Sequence, residues 1–233
     1  MHIAVIPARG GSKRIPGKNI RNFLGKPMLQ VTIEKICNLG MFDSIYVSTE
    51  DPTISKIAIE SGARVHNRAI ELSNDFATTL DVVHSTVKYL EGVQLSENDF
   101  VTCIYPVTPL LKPKHLTQAL ALLGKISDGY VFAGQDQSAQ IGRSFMTNKN
   151  GYLEMIFPSQ EQMRTQDVPK IYSDAGLFYM GKVSTWLSKL PIFSPNSKFI
   201  EIGKFESVDI DTVEDWKFAE ELYEIRSRNP LKE

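Results

Sequence analysis

Cysteine is scarce. Cys37 and Cys103 are the only two, with no Cys-x-x-Cys pair and no histidine at metal-ligand spacing. That excludes a disulfide framework and a cysteine-based zinc site, and it predicts two buried thiols in a reducing, cytoplasmic compartment. Long apolar runs are also missing: no stretch approaches the roughly 20 residues of a membrane helix. The opening Met1–Ile6 has no charged lead-in, and Pro7 and Arg9 cut it short, so no secretory signal is expected. Net charge is almost absent, with 26 basic and 27 acidic side chains giving −1. This argues against nucleic acid or a membrane surface as partner. The four histidines, His2, His66, His84 and His115, stand at no catalytic spacing, and nothing supports a Ser, Cys or His nucleophile. Trp186 and Trp216 are expected to pack rather than to stack on a base. What is present, 233 residues at 42% hydrophobic and 9% aromatic content, is ample for a real core.

Apolar, β-branched stretches at residues 3–6, 44–48, 98–105 and 129–133 read as buried strands. Between them, 27–39, 52–61, 77–91 and 113–124 carry a helical period. This alternation predicts an α/β fold, a doubly wound, mainly parallel sheet whose ligands bind beyond the carboxyl ends of the strands. The rhythm breaks over 141–182, with short alternating stretches, an Asn150-Gly151 turn and a polar run at 159–162. We expect there an inserted arm, a dimerisation element, on a single domain spanning 1–233. The chain then resumes with a strand over 199–202 and an amphipathic helix over 212–226.

The first 33 residues contain no acid but hold Arg9, Lys13, Arg14, Lys18, Arg21 and Lys26. At their centre is Pro7-Ala8-Arg9-Gly10-Gly11-Ser12-Lys13-Arg14-Ile15-Pro16-Gly17-Lys18-Asn19. Gly10 and Gly11 can adopt backbone angles closed to other residues, turning the N–H groups around Ser12 toward an anion, with Arg9 and Lys18 at the rim. Five residues separate Gly11 from Gly17-Lys18 where a P-loop has four, and Asn19 replaces its Ser or Thr. No GxGxxG occurs either, so this is a phosphate loop of another type; the bland alternative is a solvated basic loop.

Near the C-terminus, Asp209 and Asp211 are two apart in an extended segment and share a face. Such a pair beside a cationic loop suits Mg²⁺ bridging a triphosphate. Asp211 alone could instead cap the following helix, with Glu214 completing a capping box, but that leaves Asp209 unexplained.

The segment Ile6–Asn19 resembles the nucleotide-binding signature of the sugar cytidylyltransferases, which activate nine-carbon sialic-type acids or 3-deoxy-octulosonate with CTP. The resemblance implies a Rossmann-like nucleotidyltransferase fold, CTP as co-substrate, Mg²⁺ on Asp209 and Asp211, and phosphate contacts from Arg9 and Lys18. It further implies nucleotide contacts from Ala8, Gly10, Gly11 and Ser12. Arg68-Ala69-Ile70-Glu71-Leu72-Ser73-Asn74-Asp75 is similar to the family's cytidine-holding segment, implicating Arg68, Asp75 and the following Thr78, although a loop ended by a helix cap reads equally well. Tyr105-Pro106-Val107-Thr108-Pro109-Leu110 resembles the Gln-Pro-Thr-Ser-Pro-Leu wall of neuraminate enzymes, with Tyr105 replacing the sugar-reading Gln. Arg164-Thr165-Gln166-Asp167 and Tyr172-Ser173-Asp174-Ala175-Gly176-Leu177-Phe178-Tyr179 are similar to the pseudaminic acid branch. That implies sugar contacts from Arg164, Gln166, Asp174 and Tyr179, with Arg143 serving the sugar or a phosphate unless it is a plain surface charge. The family dimerises through its arm, which predicts a homodimer, and its products serve bacterial cell-surface or flagellin glycosylation. Two rival readings stand: the same chemistry on neuraminate, legionaminate or octulosonate, and a non-enzymatic nucleotide-binding regulator.

Overall fold

Every residue of β1 (His2–Pro7) but the last is buried, as a strand covered on both faces must be. The computed structural model describes residues 1–91 and 95–228. After β1 come the two-residue strands β2 (Asn22–Phe23) and β3 (Lys26–Pro27), α1 (Met28–Cys37), β4 (Ser44–Thr49), α2 (Pro52–Glu60) and β5 (Arg64–Asn67). There follow α3 (Thr79–Glu91), β6 (Phe100–Ile104), α4 (Pro113–Leu123), β7 (Tyr130–Asp136) and the short α5 (Ser138–Ile141). A hairpin of β8 (Phe145–Thr147) and β9 (Leu153–Met155) leads to β10 (Tyr172–Lys182), α6 (Val183–Leu187), β11 (Lys198–Ile202) and α7 (Val213–Arg228).

The main sheet has the order β11-β7-β10-β6-β1-β4-β5. Its neighbours run parallel except for the two pairings made by β10. Alternate residues of β1 feed two cores. Ala4 and Ile6 join Ile33, Ile54, Leu116 and Phe178 on the face covered by α1, α2 and α4. Ile3 and Val5 join Val83, Val87 and Trp186 under α3 and α6. A third cluster, with Ile15, Phe23 and Trp216 at its centre, docks α7 against the segment that follows the basic loop. Both tryptophans are fully buried, Trp186 donating to the Val101 carbonyl at 3.0 Å and Trp216 to Glu220 at 3.1 Å. They pack, as expected.

Three expectations need correction. The arm is shorter than 141–182, because its last eleven residues are β10, hydrogen-bonded between β6 and β7 within the main sheet. A strand inserted between two others by a long connection has no local signature. β5 was not expected at all; it is a four-residue edge strand with alternating polar side chains. Cys103 is buried as predicted, but Cys37, on the last turn of α1, is exposed.

One ionic knot ties the strand edge to a helix start. Glu206, just past β11, pairs with Lys112 at 3.1 Å and Lys114 at 2.8 Å. It also accepts the Gly203 N–H at 2.8 Å and lies 3.3 Å from Nε2 of the buried His115. Partial burial would raise its carboxyl, but these donors outweigh that and hold it far below the ordinary carboxylate range. A depressed folded-state value means the stabilisation is complete above the unfolded carboxylate range and fades as pH falls through it. Glu206→Gln is therefore expected to cost about 1–3 kcal/mol at pH 7. In urea unfolding, the gap between wild type and variant should narrow as pH falls from about 5 toward 3; a gap independent of pH would contradict the charge assignment.

Candidate active site

The first loop and the acidic doublet converge. Arg14 donates to Asp211 across 197 positions of sequence, and Lys18 Nζ lies 3.8 Å from the other oxygen of the same carboxylate. Arg9 reaches Asp75 at 2.7 Å and Lys13 reaches it at 2.5 Å. The loop is itself braced, since Asn19 donates its amide to the Arg9 carbonyl at 2.9 Å and Ala8 N–H bonds Ser48 O at 3.0 Å. The parallel pairing of β1 with both β4 and β6 sets their following loops side by side at one edge, the place a doubly wound sheet offers a ligand.

The glycines work differently from expectation. Neither Gly10 nor Gly11 has a positive φ; in this loop it is Gly17, at φ 63°, that uses the left-handed region. Gly10 is needed for closeness, because a Cβ there would collide with Asp51 Oδ2. Asp51 is not free to swing aside, as its Oδ1 caps α2 through Thr53 and Ile54 at 2.7 and 3.1 Å. Nor do all the loop amides face outward. Gly10 N–H donates to Glu50 Oε1 at 2.9 Å, and Ser12 N–H to Gly10 O at 3.0 Å. Glu50 thus holds a donor that an anion could take, while its Oε2 is buried with no hydrogen-bond partner. Sequence reasoning missed Glu50, whose only signal is its position at the end of β4.

Arg68 is buried, donating to the Ser48 carbonyl and, at 3.3 Å, to Ser48 Oγ. Burial lowers its affinity for its proton, Glu50 opposes that, and nearby Arg9 adds to it. Arg68 therefore stiffens the base of the cradle from within. Thr78 is occupied as a helix cap, exchanging hydrogen bonds with Asp81 at 2.6 and 3.1 Å. The hydroxyl that faces the site is its neighbour's, Thr79 Oγ1, 3.0 Å from Tyr105 Oη.

At the acidic end, Thr212 and Asp215 form the capping box of α7, with Thr212 N–H to Asp215 at 2.8 Å and Asp215 N–H to Thr212 Oγ1 at 3.1 Å. Asp211 and Glu214 are not the cap, so the Asp211 carboxylate is left to the basic loop. Asp209 is raised above the usual carboxylate range, first by partial desolvation and then by the like charge of Asp211, against Lys18 and Arg14. Lys18 is lowered, by desolvation above all. Among the described residues no three His, Cys, Asp or Glu side chains gather as a metal cage. Two carboxylates with mutual repulsion do fit an Mg²⁺ that takes its remaining ligands from phosphates and water.

On the far side of β6, Tyr105 meets Tyr179 edge-on, with centroids 5.7 Å apart, and Tyr179 donates its hydroxyl to Asp174. Burial raises both phenols, keeping them neutral donors. Phe132 and the exposed Phe193, 5.3 Å apart, extend this aromatic wall; neither was foreseen. Ala175 points into the core instead of toward the wall. Arg143, Arg164 and Gln166 are exposed on the arm, with Arg143 donating to the Met163 carbonyl at 3.4 Å. Among the described residues, no hydrogen bond joins these three to Tyr105, Asp174 or Tyr179.

Comparison with known proteins supplies the context. A family profile described as Cytidylyltransferase matches residues 3–229. A Campylobacter jejuni protein named pseudaminic acid cytidylyltransferase is 37% identical over 96% of this chain and 97% of its own length. A Helicobacter pylori protein, named pseudaminic acid cytidylyltransferase and UDP-2,4-diacetamido-2,4,6-trideoxy-beta-L-altropyranose hydrolase, is 36% identical over 99% of this chain and 44% of itself. Among solved structures, CMP:2-keto-3-deoxy-manno-octonic acid synthetase complexed with CTP superposes with a TM-score of 0.69 at 18% identity, covering 97% of this chain and 98% of that one. It shows the same fold.

Gly10→Ala forces Asp51 off the helix cap and is expected to cost about 1 kcal/mol or more. Gly11→Ala, with nothing within 4 Å of the added carbon, should stay within about 0.5 kcal/mol of wild type. Urea denaturation of the two variants measures the contrast, and equal costs would show that Gly10 is not held by the approach of Asp51.

Proposed function

The chain belongs to the cytidylyltransferase family, and from that premise we propose that it transfers CMP from CTP to pseudaminic acid, releasing pyrophosphate. It is an enzyme of the CTP-using nucleotidyltransferase class. The observation that carries the reading is the meeting of Arg14 and Lys18 with Asp211, which joins a triphosphate-sized cationic loop to a carboxylate pair. A mere nucleotide binder has no use for that pair. Tyr105, in place of Gln, departs from the neuraminate pattern on the sugar side.

In this reading the anomeric hydroxyl of the sugar attacks the α-phosphorus of CTP in line. The P–O bond to pyrophosphate breaks and the hydroxyl proton is lost. No covalent enzyme intermediate is needed, so the protein contributes position and charge. Arg9, Lys13, Arg14 and Lys18 exchange their carboxylate partners for phosphate oxygens and offset charge on the departing pyrophosphate. The phosphates take the Gly10 amide from Glu50 and add the loop's other N–H groups, with Ala8, Arg68 and Asp75 shaping the nucleotide's seat. Asp209 and Asp211 hold Mg²⁺, which when bound supplies neutralisation of the phosphate charge. Tyr105, Asp174 and Tyr179 present neutral donors and one carboxylate to the sugar.

We further propose a homodimer. Phe145, Tyr152 and Leu153 on the arm hairpin are 61%, 72% and 59% exposed, and apolar side chains grouped on one short hairpin suit an interaction surface. Arg143, Arg164 and Gln166, unattached to the site of their own chain, would then reach the neighbouring subunit's sugar.

Asp209→Asn should lower Mg²⁺-dependent pyrophosphate release from CTP and sugar by at least about a hundredfold, since a metal-held charge is worth several kcal/mol, with the circular dichroism spectrum unchanged. In the wild type, the Mg²⁺ concentration for half-maximal rate should rise as pH falls toward the carboxylate range, starting at a higher pH than for an ordinary aspartate, because Asp209 binds its proton earlier and must lose it to bind metal. Near-normal activity of the variant would remove the metal role. A pyrophosphate assay over pseudaminic, legionaminic, neuraminic and 3-deoxy-octulosonic acids should show the highest kcat/KM for the first. Preference for another acid would reassign the sugar, and silence with all four would favour the regulator.

A further inference from the structure

A cavity of about 670 Å³ opens between the outer face of α1, the turn leading into α4, and α7. It shares no side chain with the nucleotide loop, the acidic doublet or the Tyr105–Tyr179 aromatic pair, and touches the turn after Tyr105 only through Pro109 and Leu110. Its volume lies within the roughly 300–1,000 Å³ of small-molecule sites. Leu24, Val31, Leu39 and the ring of Tyr223 give it apolar walls.

The charges on its lining are unequal. Lys26 and Glu34 cancel at 2.6 Å, and Lys112 is paired with Glu206. Lys35 and Arg226 form no ion pair among the described residues. Lys35 donates to the Pro109 carbonyl and stands 5.2 Å over the Tyr223 ring, and Arg226 donates to the Phe205 carbonyl at 2.6 Å. Two cations in a mostly apolar recess, met among the described residues by backbone oxygens and the Tyr223 ring and by no carboxylate, leave a positive field there. Burial and then the charge of Arg226 lower Lys35 to about 8, a sign of how incompletely its charge is compensated.

We propose that this cavity is a second ligand site, for a small amphipathic anion: a carboxylate, sulfonate or phosphate ester with an apolar body. The head group takes Lys35 and Arg226, and the body lies between α1 and Tyr223. The cavity backs onto three parts of the active site. Lys35 and Thr32 hold the Pro109 and Pro106 carbonyls of the turn that starts at Tyr105. α7 follows directly on Asp211, and Phe23, just after the basic loop, packs on both Trp216 and Tyr223. An occupant that draws Lys35 from Pro109 therefore acts on the sugar-side turn.

The test is a fluorescence titration of the full chain with 8-anilinonaphthalene-1-sulfonate, an aromatic sulfonate, at saturating CTP and Mg²⁺. One saturable site per chain is expected. Binding should weaken at least tenfold both in Lys35→Met, which removes the charge, and in Val31→Trp, which fills the recess. Both variants should keep wild-type circular dichroism, and Val31→Trp, which leaves the Lys35–Pro109 bond in place, should also keep wild-type CTP turnover measured without the probe. The proposal is overturned if binding is non-saturable, if CTP displaces the probe, or if both variants bind as wild type does. Loss in Val31→Trp alone would mark a purely apolar cleft and overturn the anion assignment.

Discussion

The structure turns on an ionic contact between the two ends of the chain. Arg14 and Lys18, in a loop that begins seven residues from the N-terminus, meet Asp211, which stands at the foot of the last helix. Neither side is stable in isolation. A run of cations with no acid among the first 33 residues repels itself, and Asp209, partly desolvated beside the like charge of Asp211, holds its proton more tightly than an ordinary carboxylate. Each relieves the other. The contact requires β1 in the middle of the sheet and α7 laid across its loop edge, and Ile15, Phe23 and Trp216 supply the apolar seat that keeps α7 there. Exposed ion pairs of this kind contribute little to stability, so the arrangement makes more sense as a charge distribution kept ready for a polyanion.

The same economy recurs around the loop. Arg9 and Lys13 share Asp75, and the Gly10 amide uses Glu50. In the function proposed, side-chain carboxylates hold the places that phosphate oxygens would take. They can be exchanged for phosphate because they are partly solvated, whereas Arg68, tied to Ser48 from beneath, is not. A rigid base with exchangeable contacts above it is what preorganised binding demands. The proposed sugar side is built on a different principle. There, neutral phenols held by burial, and a turn pinned at Pro106 and Pro109 by α1, offer shape and donors instead of charge.

Much of this was legible residue by residue. Ile3–Ile6 announces a doubly covered strand because nothing in it tolerates water. The excess of cations near Gly10-Gly11 points to an anion because no local acid balances them. Other features were not. Gly10 looked like a source of unusual backbone angles, yet its φ is ordinary and its smallness serves Asp51, 41 positions away. Thr78 and Thr79 are indistinguishable in sequence, and only the start of α3 decides that one caps while the other faces Tyr105. Asp211 could be read as the cap of the last helix, with Glu214 completing the box, but the helix register assigns that task to Thr212 and Asp215.

Local chemistry, then, was determined by the amino-acid sequence alone: which stretches are apolar enough to be strands, which loop is cationic, where two carboxylates lie two apart. Those properties depend on neighbours a few bonds away, so they can be read in order along the chain. Tertiary structure alone decided who meets whom. That Tyr172–Lys182 enters the main sheet between β6 and β7, that Glu50 answers Gly10, and that Asp211 answers Arg14 all follow from strand order and helix register. Strand order is set by the packing of every face at once, and no period or motif within a single segment encodes it.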